Sequence, residues 1–184
     1  GERAGLYYTP VNSYLKADEL AYIVQNSESQ ILITSRSRRE VAMEAAAMCP
    51  RLKLCLIVDG TGDDGNFLDY ATEVAKFPST PIEDESLGVS MMYSSGTTGR
   101  PKGILRPLQD SAPDTPLPLW GFLDGLWKYR DGMRYLSPAP LYHSAPQAAV
   151  GLTLRRGGTV IIMEHFDPED YLDRKSTRLN SSHT

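Results

Sequence analysis

The residues Met91–Ile104, MMYSSGTTGRPKGI, constrain this chain more than any other stretch. A short apolar run, Leu87, Val89, Met91 and Met92, ends at Tyr93 and gives way to Ser94-Ser95-Gly96-Thr97-Thr98-Gly99. Arg100, Pro101, Lys102 and Gly103 follow, and an apolar segment resumes at Ile104. The pattern predicts a strand running into a loop of small hydroxyl and glycine residues, with cations at its far end. Such a loop suits a polyphosphate. Glycines let the backbone come close and turn its N–H groups inward, because no Cβ blocks the approach. Ser94, Ser95, Thr97 and Thr98 add hydroxyl donors, and Lys102 supplies a mobile point charge. A run of this composition is most often a flexible linker. The strand-like approach, the apolar exit and the confinement of the cations to one end argue against that here. The common P-loop needs Gly, four residues, then Gly-Lys-Ser/Thr opening a helix. Gly99 follows Gly96 too soon for it, Pro101 precedes Lys102, and Gly103 stands where the hydroxyl should be.

Over its full length Tyr93–Gly103 resembles the signature of the adenylate-forming superfamily, Tyr-(Thr/Ser)-Ser-Gly-Thr-Thr-Gly-x-Pro-Lys-Gly. That superfamily comprises acyl-CoA synthetases, peptide-synthetase adenylation domains and luciferases. The resemblance implies a loop that holds the β- and γ-phosphates of ATP while a carboxylate attacks the α-phosphorus. It puts Ser94, Ser95, Gly96, Thr97, Thr98, Gly99 and Lys102 in the nucleotide site, with Lys102 and Thr97 closest to the chemistry. It also makes Thr97 the loop hydroxyl that reaches Mg²⁺.

A second signal lies at Ser137-Pro138-Ala139-Pro140-Leu141-Tyr142-His143-Ser144-Ala145. A histidine beside an aromatic at the end of a predicted strand is more often structural than catalytic. Pro-Leu-(Phe/Tyr)-His at this distance beyond the phosphate loop, however, resembles the acyl-CoA synthetase branch, in which the pair lines or gates the acyl pocket. Peptide-synthetase adenylation domains usually carry Phe-Asp-x-Ser here. Tyr142 and His143 are therefore expected in the substrate pocket, and His143 is not read as a base.

Composition excludes several other classes. The chain is 41% hydrophobic and 23% charged, with a net charge of −4, an acidity that argues against nucleic acid as a partner. No apolar run approaches the ~20 residues that cross a bilayer. Gly1-Glu2-Arg3 leads into a mixed segment rather than a secretory leader, and the absence of an initial Met suggests a chain cut from something longer. Cys49 and Cys55 have neither Cys-x-x-Cys spacing nor a nearby histidine. They read as buried, inert thiols of a reducing compartment. A cytoplasmic location follows, with a membrane-peripheral one left open.

The remaining pattern alternates between strand and helix. Leu6–Tyr8, Gln30–Thr34, Leu52–Val58, Tyr135–Leu136 and Thr159–Met163 read as strands, three of them (Gln30–Thr34, Leu52–Val58 and Thr159–Met163) as buried ones. Lys16–Asn26, Arg38–Met48, Phe67–Phe77, Trp120–Tyr129 and Ala145–Leu154 read as helices, with Asp167–Leu172 beginning another. Trp120–Tyr129 is expected to lay its apolar face on the sheet, and Arg155 and Arg156 to serve the dipole of the helix before them. Short apolar strands separated by such helices predict an α/β fold of parallel-sheet layers with flanking helices. Pro78–Ser86 reads as a polar linker. Leu105–Leu119, with Pro107, Pro113, Pro116 and Pro118, reads as an irregular surface excursion of the kind found in a subset of fatty-acyl-CoA synthetases. Gly60-Thr61-Gly62-Asp63-Asp64-Gly65 fits a dinucleotide fingerprint in letters only. Asp59, Asp63 and Asp64 would repel a pyrophosphate, with no Lys or Arg near in sequence to compensate, and the spacing of a calcium loop fails as well. A solvated surface turn is the expectation.

Residues 174–184 break this pattern and resemble read-through of adapter or vector sequence, so residues 1–173 are taken as an incomplete part of the adenylate-forming N-terminal domain. The resemblance calls for three further elements that this sequence lacks. These are a Tyr-Gly-x-Thr-Glu segment for Mg²⁺, an Asp for the ribose, and a small C-terminal domain carrying a Lys for the carboxylate. The implied activity is that of a larger parent. It activates a carboxylic acid, most simply a fatty acid, with ATP and Mg²⁺ and passes the acyl group to coenzyme A, while the isolated segment would be inactive. Two alternatives stand beside it: the amino-acid adenylation domain of a peptide synthetase, and a non-catalytic nucleotide-binding fragment.

Overall fold

The computed structural model describes residues 1–94 and 99–173. The chain divides into two compact units, Gly1–Pro113 and Asp114–Thr184. Residues 174–184, expected to be foreign to the fold, lie outside the described residues.

The first unit is built on a parallel three-stranded sheet in the order β2 (Ile31–Ser35), β3 (Leu54–Val58) and β4 (Leu68–Asp69). Helices α1 (Ala17–Asn26) and α2 (Arg39–Ala47) cover it. α1 begins where the sequence places Asp18 and Glu19 in its first turn, favourable for the dipole. The Glu19 carboxylate accepts the Lys16 N–H at 2.9 Å. The alanines of α2 allow close approach, and Ala42 and Ala45 are buried together with Ala21, Val24, Leu32, Cys55, Ile57 and Phe67. Both cysteines are free and buried, and burial pushes both thiols above their ordinary range.

β2 is covered on one face only. Leu32 points into the core, whereas Ile31 and Ile33 are 49% and 54% exposed. A continuous apolar run does not by itself say whether one face or both are covered, and the reading of β2 as a buried strand is corrected accordingly. β9 (Thr159–Ile162) is likewise half-covered, with Ile162 exposed. The segment expected as one helix over Phe67–Phe77 is a short strand followed by α3 (Tyr70–Val74). The break falls at Asp69, whose carboxylate accepts the Thr72 N–H at 2.8 Å and so starts the helix there.

The glycine-rich turn at residues 60–65 also departs from expectation. Most of it is exposed, but Asp64 is only 4% exposed. Its carboxylate accepts from Arg39 Nε at 2.7 Å and from the N–H groups of Thr61 at 2.8 Å and Gly62 at 3.2 Å. The compensating cation is thus present, brought from the start of α2. Burial alone would raise the Asp64 pKa, but these donors outweigh it and hold the carboxyl below its ordinary value.

The remaining strands of this unit frame the loop of interest. β1 (Tyr7–Tyr8) pairs in parallel with β5 (Val89–Ser90), while β6 (Met92–Ser94) and β7 (Lys102–Ile104) form an antiparallel hairpin.

In the second unit, β8 (Arg134–Ser137), α5 (Ser144–Arg155) and β9 form a β-α-β unit with its two strands parallel. α5 buries Ala149, Leu152 and Thr153. α4 (Pro118–Trp127) starts with proline in its first turn, where a missing N–H costs nothing. It buries no residue, and Phe122 and Leu126 are exposed, which corrects the expectation that its apolar face lies on the sheet. It is tied instead to α5: the Trp120 ring lies against Gly151, and the Arg155 guanidinium sits 4.4 Å from the ring centroid. Arg156, expected to serve the helix dipole, pairs with Asp124 and, at 3.3 Å, with Asp131. No helix among the described residues is long and apolar enough to cross a membrane.

Candidate functional site

The β6–β7 hairpin sets Met92 opposite Ile104, Tyr93 opposite Gly103 and Ser94 opposite Lys102. Side chains alternate along a strand, so Ser94 and Lys102 share one face while Tyr93 and Gly103 share the other. Ser94 Oγ and the Lys102 carbonyl are 3.5 Å apart. Lys102 is exposed and makes no ion pair among the described residues, so its ammonium is available to an anion.

The opposite face is closely packed. A Cβ on Gly103 would stand 2.4 Å from Met91 Cε and 3.0 Å from Tyr93 Cζ. Glycine is therefore the residue that fits there without displacing the aromatic ring across the hairpin. Gly99 is required for a different reason, its φ of +92°, a region that L side chains rarely adopt. Tyr93 donates its hydroxyl to Asn26 Oδ1 at 2.7 Å, and burial pushes its pKa up. Beyond Gly99, the Arg100 guanidinium lies 5.1 Å from the centroid of the Tyr22 ring, and the Tyr22 hydroxyl donates to the Pro101 carbonyl at 3.2 Å.

Of the residues expected in the nucleotide site, Ser94 and Lys102 are thus brought face to face, with Gly99 at the turn before Arg100. Ser95, Gly96, Thr97 and Thr98 lie outside the described residues. A cavity of about 600 Å³ elsewhere in this unit is lined mainly by apolar groups of β1, α1 and β2, and by neither Ser94, Gly99 nor Lys102. No group of three or more His, Cys, Asp or Glu side chains among the described residues could hold a metal ion.

In the second unit, Tyr142 and His143 follow β8 at the start of α5. His143 is the N-cap, with an extended backbone, and its carbonyl accepts the Gln147 N–H at 3.2 Å. The two rings are 4.3 Å apart with their planes inclined at 45°. Tyr142 is half-buried and His143 exposed, so the pair presents an apolar and aromatic edge with a polar tip.

The sequence reading did not identify Tyr22 and Asn26. The available signal was weak: an aromatic and an amide four residues apart on a helix whose other face is apolar.

The chain matches the family model described as AMP-binding enzyme over residues 2–179. It is 30% identical over 169 residues to the long-chain-fatty-acid–CoA ligase FadD13 of Mycobacterium tuberculosis, covering 90% of this chain and 31% of that protein. The inhibitor-bound N-terminal domain of FACL13 from Mycobacterium tuberculosis superposes with a TM-score of 0.65 at 24% identity, over 88% of this chain and 38% of the other. ATP-bound MatB from Rhodopseudomonas palustris superposes with a TM-score of 0.61 at 26% identity, over 91% of this chain and 32% of the other. The chain thus spans about a third of the length of the curated relatives it matches. With the two ends of the signature paired in a β-hairpin and the family match running through both units, this chain belongs to the AMP-binding enzyme family.

Proposed function

We propose that this chain is part of an enzyme that activates a carboxylic acid, a fatty acid foremost, with ATP and transfers the acyl group to coenzyme A. The observation that carries this reading is the hairpin register that puts Lys102 directly opposite Ser94 at the two ends of the glycine-rich loop. The ligase name of the 30%-identical relative and the ATP-bound structural neighbour support it.

A carboxylate is a poor electrophile. In the first half-reaction its oxygen attacks the α-phosphorus of ATP, the bond to the β-phosphate bridging oxygen breaks, and pyrophosphate leaves. In the second, the coenzyme A thiol, losing its proton, attacks the acyl carbon of the adenylate, and AMP leaves. Charge builds on the departing pyrophosphate, so groups set in advance around it lower the barrier electrostatically. Lys102 serves there as a point charge, with Ser94, Ser95, Gly96, Thr97, Thr98 and Gly99 as the cradle. Mg²⁺, when bound with ATP, neutralises phosphate charge. This ion keeps few protein ligands, and the hydroxyl of Thr97 would be one of them. Tyr142 and His143 are assigned to the acyl pocket, His143 without a role in proton transfer. The buried, reduced thiols fit a cytoplasmic setting.

The test is ATP–pyrophosphate exchange by the intact enzyme carrying this segment. Lys102→Ala is expected to slow exchange about 100-fold, the scale of losing one preorganised charge-stabilising group, while acid binding changes little. Equal exchange rates in the two proteins would remove Lys102 from the mechanism.

A further inference from the structure

Tyr22 and Asn26 are four residues apart on α1, so their side chains stand on one face, a turn apart. Asn26 accepts the hydroxyl of Tyr93 on the incoming strand β6 at 2.7 Å. Tyr22 donates to the Pro101 carbonyl at 3.2 Å and lies under the guanidinium of Arg100, both just ahead of the outgoing strand β7. One helix face therefore touches the chain on both sides of the glycine-rich loop. The strand pairing alone would close the hairpin, so these contacts are additional to it. Their polar atoms are spent on the two ends of the loop and not on the core of α1, which Ala17, Ala21, Ile23 and Val24 provide.

We propose that Tyr22 and Asn26 are positioning residues for the phosphate loop: they hold its two ends against α1 and keep the Arg100 cation on the Tyr22 ring, leaving Lys102 to meet the polyphosphate. The inference rests on the reading of this loop as the phosphate site.

The physical case is one of preorganisation. Glycine has the most conformational freedom to lose, so a loop rich in it is costly to order around a ligand. Contacts made before the ligand arrives remove part of that cost from binding. The two cations near the loop also differ in chemistry. A planar guanidinium stacks on an aromatic face, whereas an ammonium on a long stem acts as a mobile point charge. The structure uses each accordingly, Arg100 against Tyr22 and Lys102 in solvent.

The test compares MgATP and AMP affinities of the intact enzyme carrying this segment and of its variants by direct titration, with thermal midpoints recorded alongside. AMP lacks the β- and γ-phosphates, so the ratio of the two affinities isolates the loop. Tyr22→Leu, Arg100→Ala and Asn26→Ala should each weaken ATP about 3- to 10-fold, the scale of one hydrogen bond or cation–ring contact, and leave AMP unchanged. Tyr22→Phe, which keeps the ring beneath Arg100, should lose less than Tyr22→Leu. The double variant Tyr22→Leu/Arg100→Ala should be no worse than Tyr22→Leu alone, because losing the ring already removes the Arg100 contact. ATP affinity that survives Tyr22→Leu, a parallel fall in ATP and AMP, or additive losses in the double variant would overturn the proposal. Lys102→Ala separates the two levels. If it weakens ATP while Tyr22→Leu does not, this inference alone fails. If the wild-type enzyme binds ATP no better than AMP, or Lys102→Ala leaves ATP unaffected, the phosphate reading fails and takes this inference with it.

Discussion

Gly103→Ala probes the packed face of the hairpin without touching the face that carries Lys102. The backbone at Gly103 is not in the left-handed region, so alanine is conformationally acceptable, and the cost is purely steric. The added Cβ would stand 2.4 Å from Met91 Cε, 3.0 Å from Tyr93 Cζ and 3.1 Å from the Tyr93 hydroxyl. The methionine end can rotate away. The tyrosine ring is held by its 2.7 Å bond to Asn26, so moving it by a few tenths of an ångström lengthens or breaks that bond. Overpacking of this kind costs about 1–3 kcal/mol. Replacing glycine stabilises by about 0.4–1 kcal/mol through the unfolded chain, which leaves a net loss of about 0–2.6 kcal/mol. Urea unfolding followed by circular dichroism measures it. The same substitution in a Tyr93→Phe background should cost less, because the ring is then free to shift. A Gly103→Ala that stabilises the chain, or equal costs in the two backgrounds, would refute the reasoning.

Ile57, which is fully buried in the middle strand of the sheet, should lose about 2–5 kcal/mol on conversion to alanine; a loss below about 1 kcal/mol in chemical denaturation would show that the site collapses around the deletion. Ser137 is fully buried, and its hydroxyl has no partner among the described residues. Ser137→Ala should therefore be neutral or stabilising by up to about 1 kcal/mol, and a clear drop in the unfolding midpoint would reveal a bond to that hydroxyl. Asp64 is held below its ordinary value of 3.8 in the folded state, so the unfolded chain binds its proton more tightly. Its contribution is complete above the unfolded value and drains as pH falls through that value toward the lower folded one. Asp64→Asn should accordingly flatten the acid limb of the melting-temperature profile, and curves that stay parallel below about pH 4 would contradict this. Cys49 and Cys55, buried and shifted upward, should resist iodoacetamide in the native chain and react in urea, whereas rapid native labelling would show an open core.

Element type was legible wherever a local rule decides it. Ala17–Asn26 follows from apolar spacing and an acidic first turn, and Ser144–Arg155 from spacing and a glycine stop. Coverage was not legible, because it is decided by elements distant in sequence. The same apolar letters describe Ile57, which is buried, and Ile31 and Ile33, which are not. Asp64 makes the same point in charge. Within the turn its only charged neighbour is acidic, and the cation that satisfies it, Arg39, arrives from 25 residues away.

The candidate site divides along the same line. Its motif is contiguous, and the strand that enters it is legible in the apolar run before Tyr93, whereas the antiparallel register of Met92–Ser94 with Lys102–Ile104 comes from the structure alone. What orients the motif is not contiguous: Tyr93 finds Asn26 across 67 residues, and Pro101 finds Tyr22 across 79. No local pattern couples positions so far apart. Tyr22 and Asn26 could be recognised beforehand only as residues that the core of α1 does not use. Polar or aromatic side chains four apart on a helix, off its buried stripe, are candidates for holding something that the helix itself does not need. In this chain that something is the pair of strand ends carrying Ser94 and Lys102, so under the proposal made above the first helix belongs to the candidate site as much as the motif does.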